Sequence, residues 1–484
     1  MSDTRSSEKE PWGYRWRSST FFILGCITIA LFAETFLYDF IVPILPYILE
    51  QRNGVDPDDI QKLTYQILTV YGVVLVFSGP FIGQWADKAK TRRTPLIISL
   101  AVSIVGTVIL AASTHLYGVF IGRILQAIGG TGAWIVGMAT IRDSIDAKDI
   151  GKAFGFALGC SNMGALAGPV LSGLLLEYSG YWMTWTSVLL VLALDIVMRC
   201  IMVEKKKAQP EFVKDTDGCR YPVGEPREDS ALLSDSSVES YDATERPHDK
   251  KQPDLSTIEF YKLVLSQRGV IIGLSASVVY ASMLASYSTT IPAHVKIAFG
   301  WGSGPTGILF AAMQAPAIVM SPLCGWLRDV VGTRKPATAG YAILAILLFL
   351  LGAADQEQFP WAASRESMIA TYVVAVVGIG LATDLTSSVA ICEITCAIDD
   401  LETKQPGALG NGGAYSRCYS LTNVSYSLGL TIGSFLSGYL TDSISYFFMN
   451  CAFAITCVIT SVVAFTMLHD RAPEPKENSD SDEA

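Results

Sequence analysis

Glu34-Thr-Phe-Leu-Tyr-Asp39-Phe-Ile-Val-Pro43-Ile-Leu-Pro46 sets two carboxylates and two prolines inside an apolar run from about residue 20 to 48. That run is long enough to cross a bilayer as a helix. An ionisable side chain at membrane depth costs about 3 kcal/mol or more, so it is kept where it faces a polar cavity or a partner charge. Glu34 is therefore a candidate functional residue, with Asp39 nearer the outer surface. Pro43 and Pro46 remove backbone donors and loosen the outer part of the helix.

Half of the 484 residues are hydrophobic and the mean hydropathy is +0.38, too apolar for a water-soluble protein of this size. Apolar runs recur near 20–48, 64–86, 95–113, 116–141, 152–177, 180–203, 269–291, 304–327, 336–353, 368–392, 415–440 and 445–468. They read as twelve transmembrane helices, six on each side of a polar gap. Lys88, Lys90, Arg92 and Arg93 follow the second run; Arg142, Lys148 and Lys152 follow the fourth; Arg328, Arg334 and Lys335 follow the eighth. By the positive-inside rule those loops, the central gap and both termini are cytoplasmic. No small-residue cleavage site follows the first run, so it reads as a retained span. The net charge of −10 comes largely from the acidic tail and the central gap and defines no substrate. Ten cysteines are scattered; Cys392 and Cys396 stand one turn apart with no second pair or histidine cluster, which reads as packing.

The chain thus divides into a cytoplasmic tail (1–19), a six-helix bundle (20–203), a linker (204–268), a second six-helix bundle (269–468) and an acidic tail (469–484). The linker is dominated by Ser, Asp, Glu, Pro and Lys and reads as disordered. Within it Glu228-Asp-Ser-Ala-Leu232-Leu233 has the spacing of an acidic dileucine sorting signal.

The two halves repeat. Gly83-Gln-Trp-Ala-Asp87-Lys-Ala-Lys-Thr-Arg92-Arg93 and Gly325-Trp-Leu-Arg-Asp329-Val-Val-Gly-Thr-Arg334-Lys335 share Gly, Asp, Thr and a basic pair at the same spacing. Gly164-Ala-Leu-Ala-Gly168-Pro169-Val-Leu-Ser-Gly173 matches Gly429-Leu-Thr-Ile-Gly433-Ser-Phe-Leu-Ser-Gly438. The fold class is therefore an all-α membrane protein of two pseudo-symmetric six-helix bundles, with a path for substrate between them.

On these motifs, with Gly122-Arg-Ile-Leu-Gln126 in the fourth span, the chain resembles the major facilitator superfamily over nearly its whole length. Within it the chain is most similar to the twelve-span drug:proton antiporters and their vesicular-amine-transporter-like branch. Lys90 and Ala127 stand where that family usually has glycine. The resemblance implies that Asp87 and Arg92 stabilise an outward-facing form, with Asp329 and Arg334 as their second-half counterparts. It implies that Gly168-Pro169 bends the fifth span as in antiporters, while Ser434 replaces the proline in the second half. In the amine branch acids stand near the middle of the first, tenth and eleventh spans. Glu34 and Asp384 match the first two, and Asn423 stands at the third.

Arg123 lies inside the hydrocarbon region, with nothing in its own span polar enough to pair it. In the family the first and fourth spans of a half both line its inner face, so the resemblance implies Glu34 or Asp39 as the partner. A carboxylate in that setting is suited to load and release a proton. Trp134, Tyr280 and Tyr287 are candidates to line a cavity for aromatic or amphipathic cargo, although aromatics in spans are more often packing. Gly302-Ser-Gly304-Pro-Thr-Gly307 fits a dinucleotide fingerprint only in letters, since no strand precedes it. No phosphate-binding loop of an ATP-driven pump occurs, and no nucleophile or His/Asp cluster marks an enzyme. The sequence reading is a monomeric secondary transporter, needing no cofactor beyond a proton gradient. Its partners are a small organic molecule, protons and the bilayer, with no nucleic acid, and its place is the cell membrane or an internal one such as the vacuole. Export is the leading direction; nutrient uptake or uniport, and a non-transporting sensor, are the alternatives.

Overall fold

The computed structural model describes residues 13–89, 91–145, 150–203, 212–214, 220–222, 257–387, 389–390, 392–394, 397 and 414–468. Among these described residues twelve long helices carry the fold. In the first half they are α1 (Thr20–Phe40), α2 (Ile60–Lys88), α3 (Arg93–Ala112), α4 (Leu116–Ser144), α5 (Ile150–Tyr178) and α6 (Tyr181–Ile201). In the second half they are α7 (Arg268–Phe299), α8 (Ser303–Val331), α9 (Arg334–Ala353), α10 (Arg365–Thr383), α11 (Ala414–Ser443) and α12 (Tyr446–Met467). Among the described residues, 11 helices are long and apolar enough to cross a membrane. The remaining one, α11, has the length but carries Thr422, Asn423, Ser425 and Ser427 in its first half. Serines close helix starts at the membrane edge: Ser19, Ser364 and Ser445 accept from the backbone N–H three residues on. Gly300, with φ 64°, ends α7 in the left-handed conformation that the tight turn into α8 needs.

As Pro43 and Pro46 imply, the outer part of the first span is loosened: α1 stops at Phe40, residues 41–44 turn, and a short helix with Pro46 in its first turn follows. The prolines cause this, since neither can donate to a helical ladder. The linker, read as disordered, is not wholly without structure. Phe212–Lys214 and Arg220–Pro222 pair as an antiparallel ribbon, and Thr257–Leu265 is a helix whose Val264 is buried against Val270 and Ile394. The dileucine-like stretch and both tails beyond 13 and 468 lie outside the described residues.

The repeat read from sequence is a packing repeat. Gly164 and Gly168 of α5 lie on the backbone of α1 at Phe32 and Phe36, and Gly429 and Gly433 of α11 lie on α7 at Val278 and Ser282. A side chain at any of the four would overlap the facing carbonyl, so glycine sets the approach of the two helices. Gly168-Pro169 does not interrupt α5, which runs through the proline. Its other face crosses α8, with Gly173 and the Pro169 carbonyl against Gly307.

Between described residues, the side-chain bonds joining the halves lie at the outer side or at mid-depth. Lys296 pairs with Glu50, the Tyr47 hydroxyl donates to the Trp301 carbonyl, and Gln61 donates to the Thr289 carbonyl at 3.3 Å. The Gly304 N–H donates to Glu177 at 2.7 Å, and Gln314 donates to the Ala165 carbonyl at 3.1 Å. Toward the cytoplasmic ends the same faces are uncovered: Leu158 and Asn162 on α5, Ser321 on α8, Pro80 and Gln84 on α2, Asn423 and Val424 on α11. The protein is thus sealed at its outer side and open toward the face carrying the basic loops.

Candidate proton and substrate site

Glu34 sits in the upper half of α1, about 21 Å above Thr20 in a helix about 30 Å long at the helical rise, and is buried. Its carboxyl occupies the space left by Gly130 of α4, where any side chain would overlap it. Tyr71 of α2 donates its hydroxyl to Glu34 Oε1 at 2.7 Å. The ring of Tyr71 lies 4.9 Å from that of Tyr38, one turn above Glu34 on α1.

Arg123 is fully buried on α4, and no ion pair joins it to Glu34 or Asp39. The expected direct pairing is replaced by an aromatic spacer. The guanidinium lies 4.3 Å from the centroid of Tyr71 and 5.6 Å from that of Tyr38. Its Nη1 donates to Gln126 Oε1 at 3.1 Å, and Gln126 in turn donates to the Thr107 hydroxyl at 2.9 Å. Nε and Nη2 of Arg123 have no hydrogen-bond partner. A guanidinium over aromatic faces is stabilised by the ring quadrupole, about 2 kcal/mol when desolvated, without consuming the carboxylate. Tyr71 therefore touches the cation with its face and the carboxyl with its edge. Asp39 lies at the last turn of α1, half-buried, between Glu34 and the proline-broken segment.

In the second half Asp384 is not in mid-helix. It caps α10, which ends at Thr383, and residues 384–387 form a turn. The hydroxyls of Thr383, Thr386 and Ser387 donate to the carbonyls of Ile379, Thr383 and Asp384, competing with the helical ladder. Arg328 of α8 takes the Asp384 carbonyl as well, while Asp384 Oδ2 and Arg328 Nε remain unpartnered. Arg328 stands about 5 Å from the inner end of α8, so Asp384 lies nearer the cytoplasm than Glu34. Asn423 is exposed on the inner half of α11. Tyr280 pairs with Tyr426 of α11 at 6.4 Å, whereas Tyr287 is core, buried with Met283 and Tyr372. Trp134 packs in the cytoplasmic core of the first half.

At the cytoplasmic face Arg92 is tied to Asp143 at the end of α4 (3.2 Å) and to the Ala86 carbonyl (2.9 Å). Arg334 lies 4.8 Å from the centroid of the Phe465 ring. The side chains of Asp87 and Asp329 lie outside the described set, though both residues are in the helices expected. Sequence reading missed Tyr71 and Asp143, and took Arg328 only as a topology-setting charge. Arg328 carried a signal, since it occupies the place of Ala86 in the repeat.

The described residues thus form twelve long helices in two repeated halves, with Glu34 and Arg123 buried among those of the first half. The sequence matches the Major Facilitator Superfamily family over residues 27–394, and the chain belongs to that family. It is similar to an uncharacterized MFS-type transporter of Schizosaccharomyces pombe, 28% identical over 94% of this chain and 97% of the relative. Part of the chain is similar to the class G tetracycline resistance protein of Vibrio anguillarum, 34% identical over 28% of this chain and 33% of that protein. Another partial likeness is to the vesicular acetylcholine transporter of Drosophila melanogaster, 26% identical over 42% and 39%. A solved structure from work on substrate recognition in proton dependent oligopeptide transporters aligns with TM-score 0.57 at 16% identity. It covers 92% of this chain and 98% of that one, which establishes the fold. The protein is an integral multi-pass membrane transporter of this superfamily.

Proposed function

We propose that the transporter exports a small organic molecule, a drug-like compound, secondary metabolite or amine, in exchange for protons, with Glu34 as the proton site. The observation that carries this reading is the Tyr71 spacer. A direct Arg123–Glu34 pair would hold the carboxylate charged. The tyrosine hydroxyl donates to the carboxylate, and it can equally accept from the carboxylic acid, so both protonation states keep a partner. The cation meanwhile stays over the ring faces, ready to strengthen or weaken its hold as the halves move. Export rather than uptake is supported by the glycine and proline pattern of α5 and by the likeness to a tetracycline resistance protein. Asp384, with a buried carboxylate oxygen that has no hydrogen-bond partner, suits a cationic cargo.

The test is purified protein in liposomes with an internal pH dye, challenged with tetracycline and with acetylcholine. Substrate-dependent proton movement opposite in direction to the substrate supports exchange. Substrate movement with no proton flux contradicts it and favours a uniporter.

A further inference from the structure

Behind Glu34, on the side away from the second half, α6 carries a charged pair inside the bundle. Arg199 donates from Nε to Asp195 Oδ1 at 2.8 Å and from Nη2 to Oδ2 at 2.6 Å, and its Nη1 donates to the Leu96 carbonyl. Both side chains are almost wholly hidden, at 0% and 3% exposure. A buried pair of this kind contributes little stability over apolar residues of the same volume, so its place needs another account.

A cavity of about 10 Å³ supplies one. It is lined by Ala30, Ala33 and Glu34 of α1, Ser103 of α3, Gly129 and Ala133 of α4, and Asp195 and Arg199 of α6 among others. The small residues leave the gap. Glu34, Ser103, Asp195 and Arg199 give it four polar groups, enough partners for a single water in a space of that size. The register of the two helices is fixed by Cys26, whose thiol donates to the Met198 carbonyl at 3.5 Å. Counting up from that contact puts Asp195 level with Ala30, one turn or ~5 Å nearer the cytoplasm than Glu34. That is the span of a carboxyl, a water and a second carboxyl.

We propose that Glu34 and Asp195 form one proton-holding unit bridged through this cavity, which carries the proton toward the cytoplasm inside the first bundle and apart from the substrate path. This rests on Glu34 being the proton site. In the step, Glu34 as the acid gives its proton to the water, and the water gives one of its own to an Asp195 oxygen. Glu34 is left as carboxylate, Asp195 becomes the neutral acid, and the water is unchanged. Arg199 stays cationic and keeps its bond to the Leu96 carbonyl. The groups facing Glu34 are Tyr71 from α2, Arg123 from α4 beyond the Tyr71 ring, and Asp195 and Arg199 from α6. α3 offers only Ser103, α5 packs through glycines and Ser161, and Tyr38 and Asp39 stand above on the same helix.

The test needs no substrate. Infrared difference spectra of the purified full-length transporter between pH 5 and 9 give a carboxylic-acid carbonyl band, and Glu34→Gln identifies the Glu34 part. Two variants then probe the unit: Asp195→Asn with Arg199→Gln, which keeps the shape and neutralises the pair, and Ala133→Val, which fills the cavity and leaves every charge in place. The proposal expects the midpoint of the Glu34 band to move by about one pH unit or more in both, a tenfold change in proton affinity. An unmoved midpoint in Ala133→Val overturns the bridge, since a merely structural ion pair is untouched by the plug. That variant decides the matter if the neutralised pair fails to fold. Absence of any Glu34-dependent band overturns the reading of Glu34 itself, and the bridge with it.

Discussion

Replacing Gly307 by alanine places a methyl group where α5 and α8 cross backbone on backbone. The new Cβ would overlap the Pro169 carbonyl oxygen and press on the Gly173 Cα. Neither atom can rotate away, so the helices must separate by a fraction of an ångström or the crossing must open. Overpacking of this sort costs about 1–3 kcal/mol. The cost falls on the conformation described here, in which the outer halves are closed. A state with the outer side open has lost the crossing and pays none of it. The population ratio therefore shifts about 5- to 150-fold toward outward-open. Spin labels at Tyr178 and Ile297, exposed at the outer ends of α5 and α7, read the change as a longer distance population. Labels at Phe156 and Val319, exposed on the inner halves of α5 and α8, should draw together in the same variant. An unchanged distance distribution at both ends in folded protein would refute the assignment of this crossing as the outer seal.

Glu50→Gln breaks the outer ion pair to Lys296, whose partners are partly exposed; such pairs contribute up to about 1 kcal/mol, so the same labels should report at most about a fivefold shift, declining with salt. Arg123→Lys keeps a charge but loses the planar stack on Tyr71 and the geometry toward Gln126, and counterflow exchange should fall more than tenfold in a variant that still reaches the membrane. Asp384→Asn should weaken binding of tetraphenylphosphonium by tenfold or more, since unit charges ~8 Å apart at an effective dielectric constant of ~20 attract by about 2 kcal/mol, with a neutral analogue unaffected; equal loss of both in calorimetry would remove Asp384 from cation recognition.

The fold was legible because each of its determinants is local. Apolar runs give the spans, basic loops give their sense, and the glycines at Gly164, Gly168, Gly429 and Gly433 predict close approaches that the helices make. The carboxylates were legible too, since a charge in an apolar run stands out by itself. What they touch was not. Tyr71 is one aromatic among many in a span, and only the packing of α2 against α1 and α4 puts its hydroxyl on Glu34 and its face under Arg123. Asp195 and Arg199, spaced to neutralise each other on one helix, gave no sign of the cavity they share with Glu34. The end of α10 at Asp384 was hidden because an apolar run counts hydropathy and takes no account of hydroxyls that compete for the backbone.

The central claim is that Glu34 carries the coupling proton, and the most direct measurement compares Glu34→Gln with wild type in proteoliposomes, using any compound that the pH-dye assay identifies as cargo. Glutamine imitates the protonated acid and cannot release a proton. The account predicts that the variant still exchanges labelled for unlabelled substrate but fails to accumulate it under a pH gradient. Full gradient-driven accumulation by Glu34→Gln would contradict the account.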